Sequence, residues 1–362
     1  ATMEKVLVTG ASGFIGSFIV SEGLEKGFEM WAGMRGSSSK GYLTDERIKF
    51  AQLNLGNKQE LKTQLASLKQ ELGPHGWDYV VHAAGATKCL KTEDFYRTNT
   101  HGTANLIEAL IEEDMVPKRF VFISSLSIFG AIRETPIKKT PANYGKAGEI
   151  SEEESIYAPI LLSDTPMPNT AYGMSKLSAE HYLHKLDPEV FPYVILRPTG
   201  VYGPREKDYF VMAKSIAGHT DFAVGYQPQE ITFIYVLDVV QAVFKSMTAP
   251  KALGKAYFLS DGKIYNSRRF SDLLQQELGN PWVLRIKAPR FLLKGICKIG
   301  GKISRMTGKL ILLNEDKYYI LSQRNWRCEI QPAIDDLNFH PEWSLEQGVK
   351  ASIDWYKQAG WL

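Results

Sequence analysis

Tyr172 and Lys176, four residues apart, are the side chains in this sequence best suited to acid–base chemistry. In a helix this spacing places both side chains on one face. A phenol with a pKa of about 10 is a poor base at neutral pH, and a neighbouring ammonium is expected to lower that pKa towards the working range. The ammonium could also reach a ribose hydroxyl. The same spacing fits a solvated helix face, so the pair needs further support.

That support comes from two serines that follow the apolar run 120–123. Ser125 would lie at the carboxyl end of a buried strand, where doubly wound sheets bind their ligands. Its hydroxyl could hold a substrate oxygen beside Tyr172. Ser124 and Ser125 could instead cap a turn or a helix. We expect one of the two to do so, and we assign the chemical role to Ser125.

A glycine-rich turn near the start of the sequence is typical of a dinucleotide site. The apolar run Val6–Val8 is followed by Gly10, Gly13 and Gly16 and then by apolar residues at helical spacing, which predicts strand, turn and helix. Free N–H groups of the first helical turn, together with the helix dipole, would hold a pyrophosphate. The spacing differs from the common G-x-G-x-x-G pattern, and glycines at such corners can serve packing alone.

Strand-like apolar runs alternate with helical patterns before Thr199, which predicts an α/β fold with a doubly wound parallel Rossmann sheet. Six such runs are present, and the alternation then fails. We therefore assign a dinucleotide-binding domain to 1–199 and 231–259, with a long insertion near the active site at 133–168. A smaller, discontinuous substrate-binding domain would comprise 200–230 and 260–325. Residues 326–362 would form a C-terminal tail with a closing helix.

The composition is that of an ordinary globular protein, with 44% hydrophobic and 23% charged residues. Acids and bases are mixed and the net charge is only +3, which argues against a nucleic-acid partner. Three scattered cysteines form no disulfide or metal pattern, and His181 and His184 lack further ligands, so we expect no metal. The early first strand and the absence of a long apolar run predict a cytoplasmic protein without membrane insertion.

A basic stretch, Lys287–Lys309, has apolar residues between its charges and could touch a membrane surface. Glycines interrupt this stretch at Gly295, Gly300 and Gly301. We therefore interpret it as a partly exposed helix of the substrate-binding domain.

The motifs of the sequence follow the order found in extended short-chain dehydrogenases/reductases, which include nucleotide-sugar epimerases, dihydroflavonol reductases and 3β-hydroxysteroid dehydrogenases. This chain resembles that group over about its first 240 residues. The matching motifs are TGASGFIG from Thr9, HAAG from His82, NTHGT from Asn99, ISS from Ile123, YGMSK from Tyr172 and RPTGVYGPR from Arg197.

The resemblance implies roles for individual residues. Tyr172 would be the general acid/base, Ser125 would bind the reacting oxygen, and Lys176 would position the ribose and lower the pKa of the tyrosine. Asn99 would support a proton relay, and Pro198 would lie near the nicotinamide. Many relatives form homodimers through a helix pair, which here would include 99–113 and 172–185. The cofactor-binding residues expected on this basis are Thr9, Gly10, Ser12, Gly13, Phe14, Ile15, Gly16, Arg35, Ser38, Asn54, Leu55, Ala83, Ala84, Gly85, Tyr172, Lys176, Pro198, Gly200 and Val201.

Arg35 stands 19 positions after Gly16, where an NAD site usually carries an acid for the ribose 2′-OH. A guanidinium followed by a serine-rich loop containing Ser38 suits a 2′-phosphate, so NADP(H) is favoured over NAD(H). The alternative is an exposed arginine at a strand end, with NAD(H) as the cofactor. Asn54-Leu55 replaces the usual Asp-Leu of the family near the adenine, and the Asn carbonyl can still accept an amine proton.

The sugar 4,6-dehydratases of this family carry an acidic pair where this sequence has Leu126 and Ser127, which argues against dehydration. Epimerases retain tightly bound NAD, whereas Arg35 favours an exchangeable NADP(H). We therefore predict an oxidoreductase that transfers a hydride between NADP(H) and a ketone or secondary alcohol, resembling dihydroflavonol reductases. Tyr172 would protonate the developing alkoxide of a small or medium-sized substrate.

Two alternatives remain open. The first is an NAD-dependent nucleotide-sugar epimerase. The second is a cofactor-sensing binding protein without turnover, which the complete set of Ser125, Tyr172 and Lys176 disfavours. Residues placed near the predicted pocket, each of which also fits packing or an interdomain contact, are Thr87, Lys88, Ser127, Tyr202, Arg205 and Phe210.

Overall fold

The computed structural model describes residues 2–362. Its strands are β1 (Lys5–Thr9), β2 (Glu29–Met34), β3 (Lys49–Gln52), β4 (Tyr79–His82), β5 (Arg119–Ile123), β6 (Glu149–Ile150), β7 (Tyr193–Pro198), β8 (Gly200–Tyr202), β9 (Thr220–Val224), β10 (Phe233–Tyr235), β11 (Ala256–Leu259), β12 (Ile264–Tyr265) and β13 (Leu284–Ala288). Its helices are α1 (Phe14–Glu25), α2 (Lys58–Leu72), α3 (Thr92–Phe95), α4 (Gly102–Glu112), α5 (Ala171–His184), α6 (Asp208–Ala217), α7 (Val236–Thr248), α8 (Arg269–Glu277), α9 (Arg290–Thr307), α10 (Glu315–Ser322), α11 (Gln331–Leu337) and α12 (Leu345–Gln358). A π-helical turn, Tyr96–His101, leads into α4, and a 3₁₀ turn, Leu126–Phe129, follows β5.

Seven parallel strands form the main sheet in the order β11-β7-β5-β4-β1-β2-β3. This arrangement confirms the predicted α/β fold with a doubly wound parallel sheet. The strand order reverses between β1 and β4, so the carboxyl ends of these two strands flank the crevice in which such sheets bind ligands. The edge strand β11 is a seventh strand beside the six that precede Thr199.

Helices cover both faces of the sheet because the strand side chains alternate between the faces. Val6 and Val8 lie in the core with α1 and α7, whereas Leu7 lies in the core with α2, α4 and α5. The remaining part of the chain contains α6, α8 and α12, which pack around an aromatic cluster. The division into domains and the homodimer stay predictions.

The segment 133–168 is mostly irregular and is anchored by the fully buried carboxylate of Glu230. That carboxylate accepts hydrogen bonds from the hydroxyls of Tyr144 and Ser155 and from the backbone N–H of Ile156. A buried carboxylate with several donors is stable, whereas one without them would be costly. The long segment is therefore held in place by a residue three positions before β10.

The turn between β1 and α1 accepts only glycine at two positions. Gly10 has a φ of +64°, and a Cβ there would lie 2.7 Å from the Cα of Ala84 in the segment after β4. A Cβ on Gly16 would overlap the carbonyl oxygen of Gly10. No side chain among the described residues caps the start of α1. The N-terminal N–H groups of α1 thus lie beside a turn whose shape is fixed by close backbone contacts.

A chain of buried hydrogen bonds joins this turn to β4 and α4. The ring nitrogens of His82 lie 2.7 Å from the hydroxyl of Thr9 and 2.8 Å from that of Thr103. Thr103 donates its hydroxyl proton to the Asn99 carbonyl, so it accepts from Nε2 of His82. Nδ1 of His82 therefore accepts from Thr9, whose oxygen accepts the N–H of Ala84. His82 is neutral in this arrangement, and burial lowers its pKa to about 3.

We expect Gly10→Ala to destabilise the protein far more than Gly41→Ala. Both glycines have positive φ, but a Cβ on Gly41 would meet no atom within 4 Å. The control variant should lose only about 1 kcal/mol through left-handed strain, whereas Gly10→Ala should lose about 3 kcal/mol or more through added backbone overlap. Chemical denaturation of both variants measures the difference. Equal losses would contradict the close contact with Ala84.

We expect His82 to make the protein less stable in acid. Its pKa falls from 6.5 to about 3 on folding, so below pH 6.5 the unfolded chain takes up the proton first. Stability is then lost as the pH falls from about 6.5 towards 3, by about 2 kcal/mol at pH 5. The free energy of unfolding should therefore depend on pH less steeply in His82→Gln. His75→Gln, a change at an exposed histidine, is the control, and parallel pH profiles for wild type and His82→Gln would refute this assignment.

Candidate active site

The predicted catalytic tyrosine lies in the first turn of α5, beside the carboxyl edge of the sheet. Thr170 caps the helix by accepting the N–H of Gly173 at 2.9 Å. The carboxylate of Asp316, at the start of α10, accepts the backbone N–H groups of Ala171 at 3.1 Å and of Tyr172 at 3.4 Å. The position of Tyr172 is thus set both by its own helix and by α10, which is distant in sequence.

Lys176 follows one turn later and is buried. Its ammonium donates to the carbonyl of Ile123 at 3.1 Å, at the end of β5. Burial lowers its pKa to about 8, and the charge of Glu180 acts in the opposite direction. A Cβ on Gly85 would lie 2.9 Å from both Nζ of Lys176 and Oδ1 of Asn99. Glycine at this position therefore allows the turn after β4 to reach the lysine and the asparagine.

The two serines after β5 have separate roles in the structure. Ser124 donates to the buried carboxylate of Glu180, which also pairs with Arg197. Ser125 accepts the N–H of Ser127 at 3.0 Å and lies 2.7 Å from its hydroxyl, so Ser125 is the residue that caps the 3₁₀ turn. The Ser125 hydroxyl also lies close enough to the phenol of Tyr172 to lower its pKa. The serine that caps this turn is therefore also the one placed beside the tyrosine.

The pKa of Tyr172 differs from the sequence expectation. Burial raises it to about 12, and the nearby hydroxyl of Ser125 acts in the opposite direction. The ammonium of Lys176 is directed to the carbonyl of Ile123, and its predicted lowering of the tyrosine pKa stays a prediction. The phenol consequently holds its proton firmly and is suited to donating it to a developing alkoxide.

Asn99 lies in the π-helical turn before α4 and is 1% exposed. Its carbonyl oxygen accepts the N–H of Ala86, and its amide donates to the carbonyl of Ala86 and to the hydroxyl of Ser175. Ser175 in turn donates to the backbone carbonyl of Tyr172. The asparagine is thus connected to the backbone of the tyrosine, and a role in a proton relay stays a prediction.

The predicted dinucleotide residues lie along the same edge of the sheet. Ser12, Gly13, Phe14 and Ile15 keep some exposure at the turn into α1, whose N–H groups and glycine contacts fit a pyrophosphate. The remaining positions flank this turn or end neighbouring strands, namely Thr9, Ala83, Ala84, Gly85, Pro198, Gly200 and Val201. A dinucleotide site requires a helix start with free N–H groups and glycines at which the pyrophosphate can approach the backbone closely.

The adenosine end of the predicted site is less regular. Arg35 follows β2 and is exposed, and no hydrogen bond or ion pair involving its side chain is formed within residues 2–362. The next acid after it is Asp45, which pairs with Arg47. Asn54 uses its amide group locally: Oδ1 accepts the N–H of Gly56 and Nδ2 donates to Glu60. Ser38, three positions after Arg35, and Leu55, directly after Asn54, are partly buried.

Three of the predicted substrate residues stay near the opening of the site. Ser127 contacts Ser125, as described above. Thr87 and Lys88 lie on the exposed segment after β4, and Lys88 forms an ion pair with Asp208 at the start of α6. This pair joins the sheet half of the molecule to the part containing α6.

The other three predicted substrate residues make packing contacts in the structure, and their role towards a substrate stays a prediction. Tyr202 is 1% exposed within an aromatic cluster, with its hydroxyl against Gly348 of α12. The ring of Phe210 packs against Tyr356 and Trp361 at 5.1 Å. The guanidinium of Arg205 lies 4.1 Å from the ring centroid of Phe18 and 4.6 Å from that of Tyr42, and donates to Ser17. These side chains hold α6 and α12 to α1 and to one another.

Sequence reasoning missed two residues of α10. Asp316 binds the start of α5, and Lys317 lies near Lys88, Asp208 and Glu206. Burial lowers the pKa of Lys317, and Asp208 and Glu206 oppose that effect. Burial also raises the pKa of Glu206 to about 7. An Asn-Glu-Asp run at Asn314 is a recognisable helix start, but nothing in its spacing indicates which helix it will contact.

Residues 2–362 contain no helix that combines the length and the apolarity needed to cross a membrane. Within the same residues, no group of three His, Cys, Asp or Glu side chains is placed to bind a metal ion.

Comparison with known proteins gives a consistent result. The NAD dependent epimerase/dehydratase family matches residues 6–266. UDP-glucose 4-epimerase of Vibrio cholerae is 25% identical over 98% of this chain and 96% of its own length. The 3beta-hydroxysteroid-dehydrogenase/decarboxylase isoform 1 of Arabidopsis thaliana is 26% identical over 85% of this chain and 66% of its own length.

Solved structures agree in fold. UDP-glucose 4-epimerase of Thermotoga maritima, solved with UDP-glucose, superposes with a TM-score of 0.72 at 21% identity, covering 98% of this chain and 99% of that chain. UDP-glucuronic acid 4-epimerase of Bacillus cereus, solved with NAD, has a TM-score of 0.70 at 21% identity with the same coverage. The chain therefore belongs to the NAD dependent epimerase/dehydratase family, and it is an enzyme of the extended short-chain dehydrogenase/reductase type.

Proposed function

We propose that this enzyme is an NAD-dependent epimerase that inverts one secondary alcohol carbon of a nucleotide sugar. The observation that carries the proposal is the length of the match: the Vibrio cholerae UDP-glucose 4-epimerase aligns with 98% of this chain. The similarity thus extends through α6 to α12, where substrate residues are expected, as well as through the sheet. This favours the epimerase alternative over the reductase.

The residues around Tyr172 suit the proposed chemistry. As a phenolate, Tyr172 would take the proton of the substrate hydroxyl; the positive charge of oxidised nicotinamide would favour this form against the raised pKa of the phenol. As a phenol, it would return the proton after the intermediate ketone has turned in the site. Ser125 would hold the reacting oxygen by a hydrogen bond, and Lys176 would hold the ribose of the cofactor. The bound nicotinamide supplies the chemistry of accepting a hydride from the carbon and giving it back. No proton and no electron pair is consumed over the complete cycle.

The first test uses Tyr172→Phe with UDP-glucose, UDP-galactose, UDP-glucuronic acid and their N-acetylated counterparts. The wild type should interconvert one pair of epimers without net consumption of NAD(H). Tyr172→Phe should lose at least about 100-fold of this activity, because the proton acceptor is removed, and should bind NAD as the wild type does. Tyr226→Phe, at an exposed tyrosine, is the control.

The epimerase proposal fails if the wild type interconverts none of these sugars while it oxidises NAD(P)H in the presence of a ketone. A cofactor-sensing protein without turnover would instead show neither activity, and Tyr172→Phe would leave its cofactor response unchanged.

An NADP(H)-dependent reductase acting on a ketone is the second candidate, and Arg35 is the observation that favours it. The side chain is exposed at the end of β2, where an acid would otherwise bind the ribose 2′-OH. A guanidinium without another partner is well suited to a 2′-phosphate. Ser38, in the following loop, would add a hydroxyl donor.

Arg35→Asp distinguishes the two cofactors. If Arg35 binds a 2′-phosphate, the variant should bind NADPH at least about tenfold more weakly while binding of NADH changes little. Fluorescence titration of wild type and variant with each cofactor measures this. Lys139→Asp, at an exposed residue of the segment 133–168, controls for the change in net charge. Equal losses for NADPH and NADH would rule out the phosphate contact.

A further inference from the structure

The helix α9 carries two different exposed surfaces along its length. Five apolar side chains recur every three or four residues and form an apolar stripe: Leu292, Ile296, Ile299, Ile303 and Met306. They are between 43% and 84% exposed. Four exposed basic side chains form a basic stripe beside it: Lys294, Lys298, Lys302 and Arg305. The spacing within each stripe is the spacing of one helix face.

The apolar stripe is not the face that packs on the protein. The buried residues of α9 are Leu293, Cys297, Gly300, Gly301 and Ser304, which form a third face. Gly300 and Gly301 do not interrupt the helix, contrary to the sequence expectation: a Cβ on them would overlap the carbonyl oxygen of Leu313 and the carboxylate of Glu315. The glycines allow the segment leading into α10 to pack closely, and the apolar stripe is left in solvent.

Charge is distributed unevenly between this region and the rest of the chain. Residues 278–314 contain eight of the 43 Lys and Arg residues and none of the 40 Asp and Glu residues, so the remaining residues hold 35 bases against 40 acids. Among the described residues, Arg305 is the member of the basic stripe with an ion-pair partner, Glu315 at 3.1 Å. Most of the positive charge on α9 is therefore uncompensated.

The segment before α9 and its partner strand β9 carry further exposed apolar side chains. Pro289 joins β13 to α9. Trp282, Leu284 and Ile286 are 69%, 61% and 39% exposed, and Phe222, paired in register with Ile286, is 62% exposed. Exposed tryptophan and large aliphatic side chains beside basic residues are typical of segments that lie at a lipid–water interface.

We propose that α9 binds the surface of an anionic lipid bilayer, with the apolar stripe entering the interface and the basic stripe contacting lipid phosphates. The length and composition of α9 suit a helix lying in the plane of the membrane and not one crossing it. A second copy of the chain is a poorer partner, since a two-fold contact would bring identical basic stripes together. Nucleic acid is poorer too, because it offers no apolar environment for Ile299 and Ile303. This inference does not depend on which reaction the enzyme catalyses.

Vesicle flotation tests the proposal with the full-length protein. The wild type should float with equimolar phosphatidylcholine–phosphatidylglycerol vesicles, much less with phosphatidylcholine alone, and less as salt is raised. Lys298→Glu with Lys302→Glu should weaken binding at least about tenfold. Lys139→Glu with Lys146→Glu, which changes the same charge at exposed positions of 133–168, should not.

The apolar stripe is tested separately by Ile299→Glu with Ile303→Glu. This variant should also lose at least about tenfold in binding, whereas Ile137→Glu with Val190→Glu, at side chains 65% and 66% exposed elsewhere, should bind as the wild type does. Unchanged NAD binding and circular dichroism would verify that each variant is folded. The proposal would be overturned if the protein bound neutral vesicles as well as anionic ones, or if the control pairs weakened binding as much as the stripe variants. It would also be overturned if the stripe variants abolished self-association, or if the protein bound duplex DNA but not vesicles.

Discussion

The structure depends on one buried series of hydrogen bonds that begins at the glycine turn and ends at α5, the helix that carries Tyr172. It starts at the N–H of Ala84, passes through Thr9, His82 and Thr103 to Asn99, and continues from the Asn99 amide through Ser175 to the carbonyl of Tyr172. Each hydroxyl along it both donates and accepts, so no member can be removed without leaving a buried group unpaired. Because these hydrogen bonds reach both the end of β1 and the backbone of Tyr172, the β1–α1 turn and the tyrosine are positioned together.

A second connection reaches α5 from a segment distant in sequence. Asp316 accepts two N–H groups at the start of α5. Leu313, just before α10, packs on Gly300 of α9, and Glu315, the first residue of α10, packs on Gly301. The helix proposed to bind lipid is thus packed against the element that holds Tyr172 in place. Binding of α9 to a lipid surface would therefore bear on α10, and through α10 on the position of Tyr172. This would need no contact between lipid and substrate site.

The sequence predicted the parts of the site that depend on local geometry. The β1–α1 turn follows from glycines whose Cβ atoms would overlap the backbone, and the Tyr172–Lys176 pair follows from helical spacing. Two kinds of property could not be predicted. Contacts between distant segments, such as Asp316 with α5 or Tyr202 with α12, leave no local pattern. The pKa of Tyr172 depends on burial and on where the ammonium of Lys176 points, and both are set by the tertiary structure.

The hydrogen bonds around Tyr172 also bear on the choice between an epimerase and a reductase. A reductase takes up one proton from solvent per turnover, so its tyrosine must be resupplied, whereas an epimerase returns the proton that it removed. The amide of Asn99 donates to the carbonyl of Ala86 and to the hydroxyl of Ser175, and Ser175 donates to the backbone carbonyl of Tyr172. These hydrogen bonds end at the backbone of Tyr172 and not at its phenol. Burial raises the pKa of that phenol to about 12. A proton that passes only between tyrosine and substrate suits a site in which these hydrogen bonds do not reach the phenol better than a proton taken up from water at every turnover.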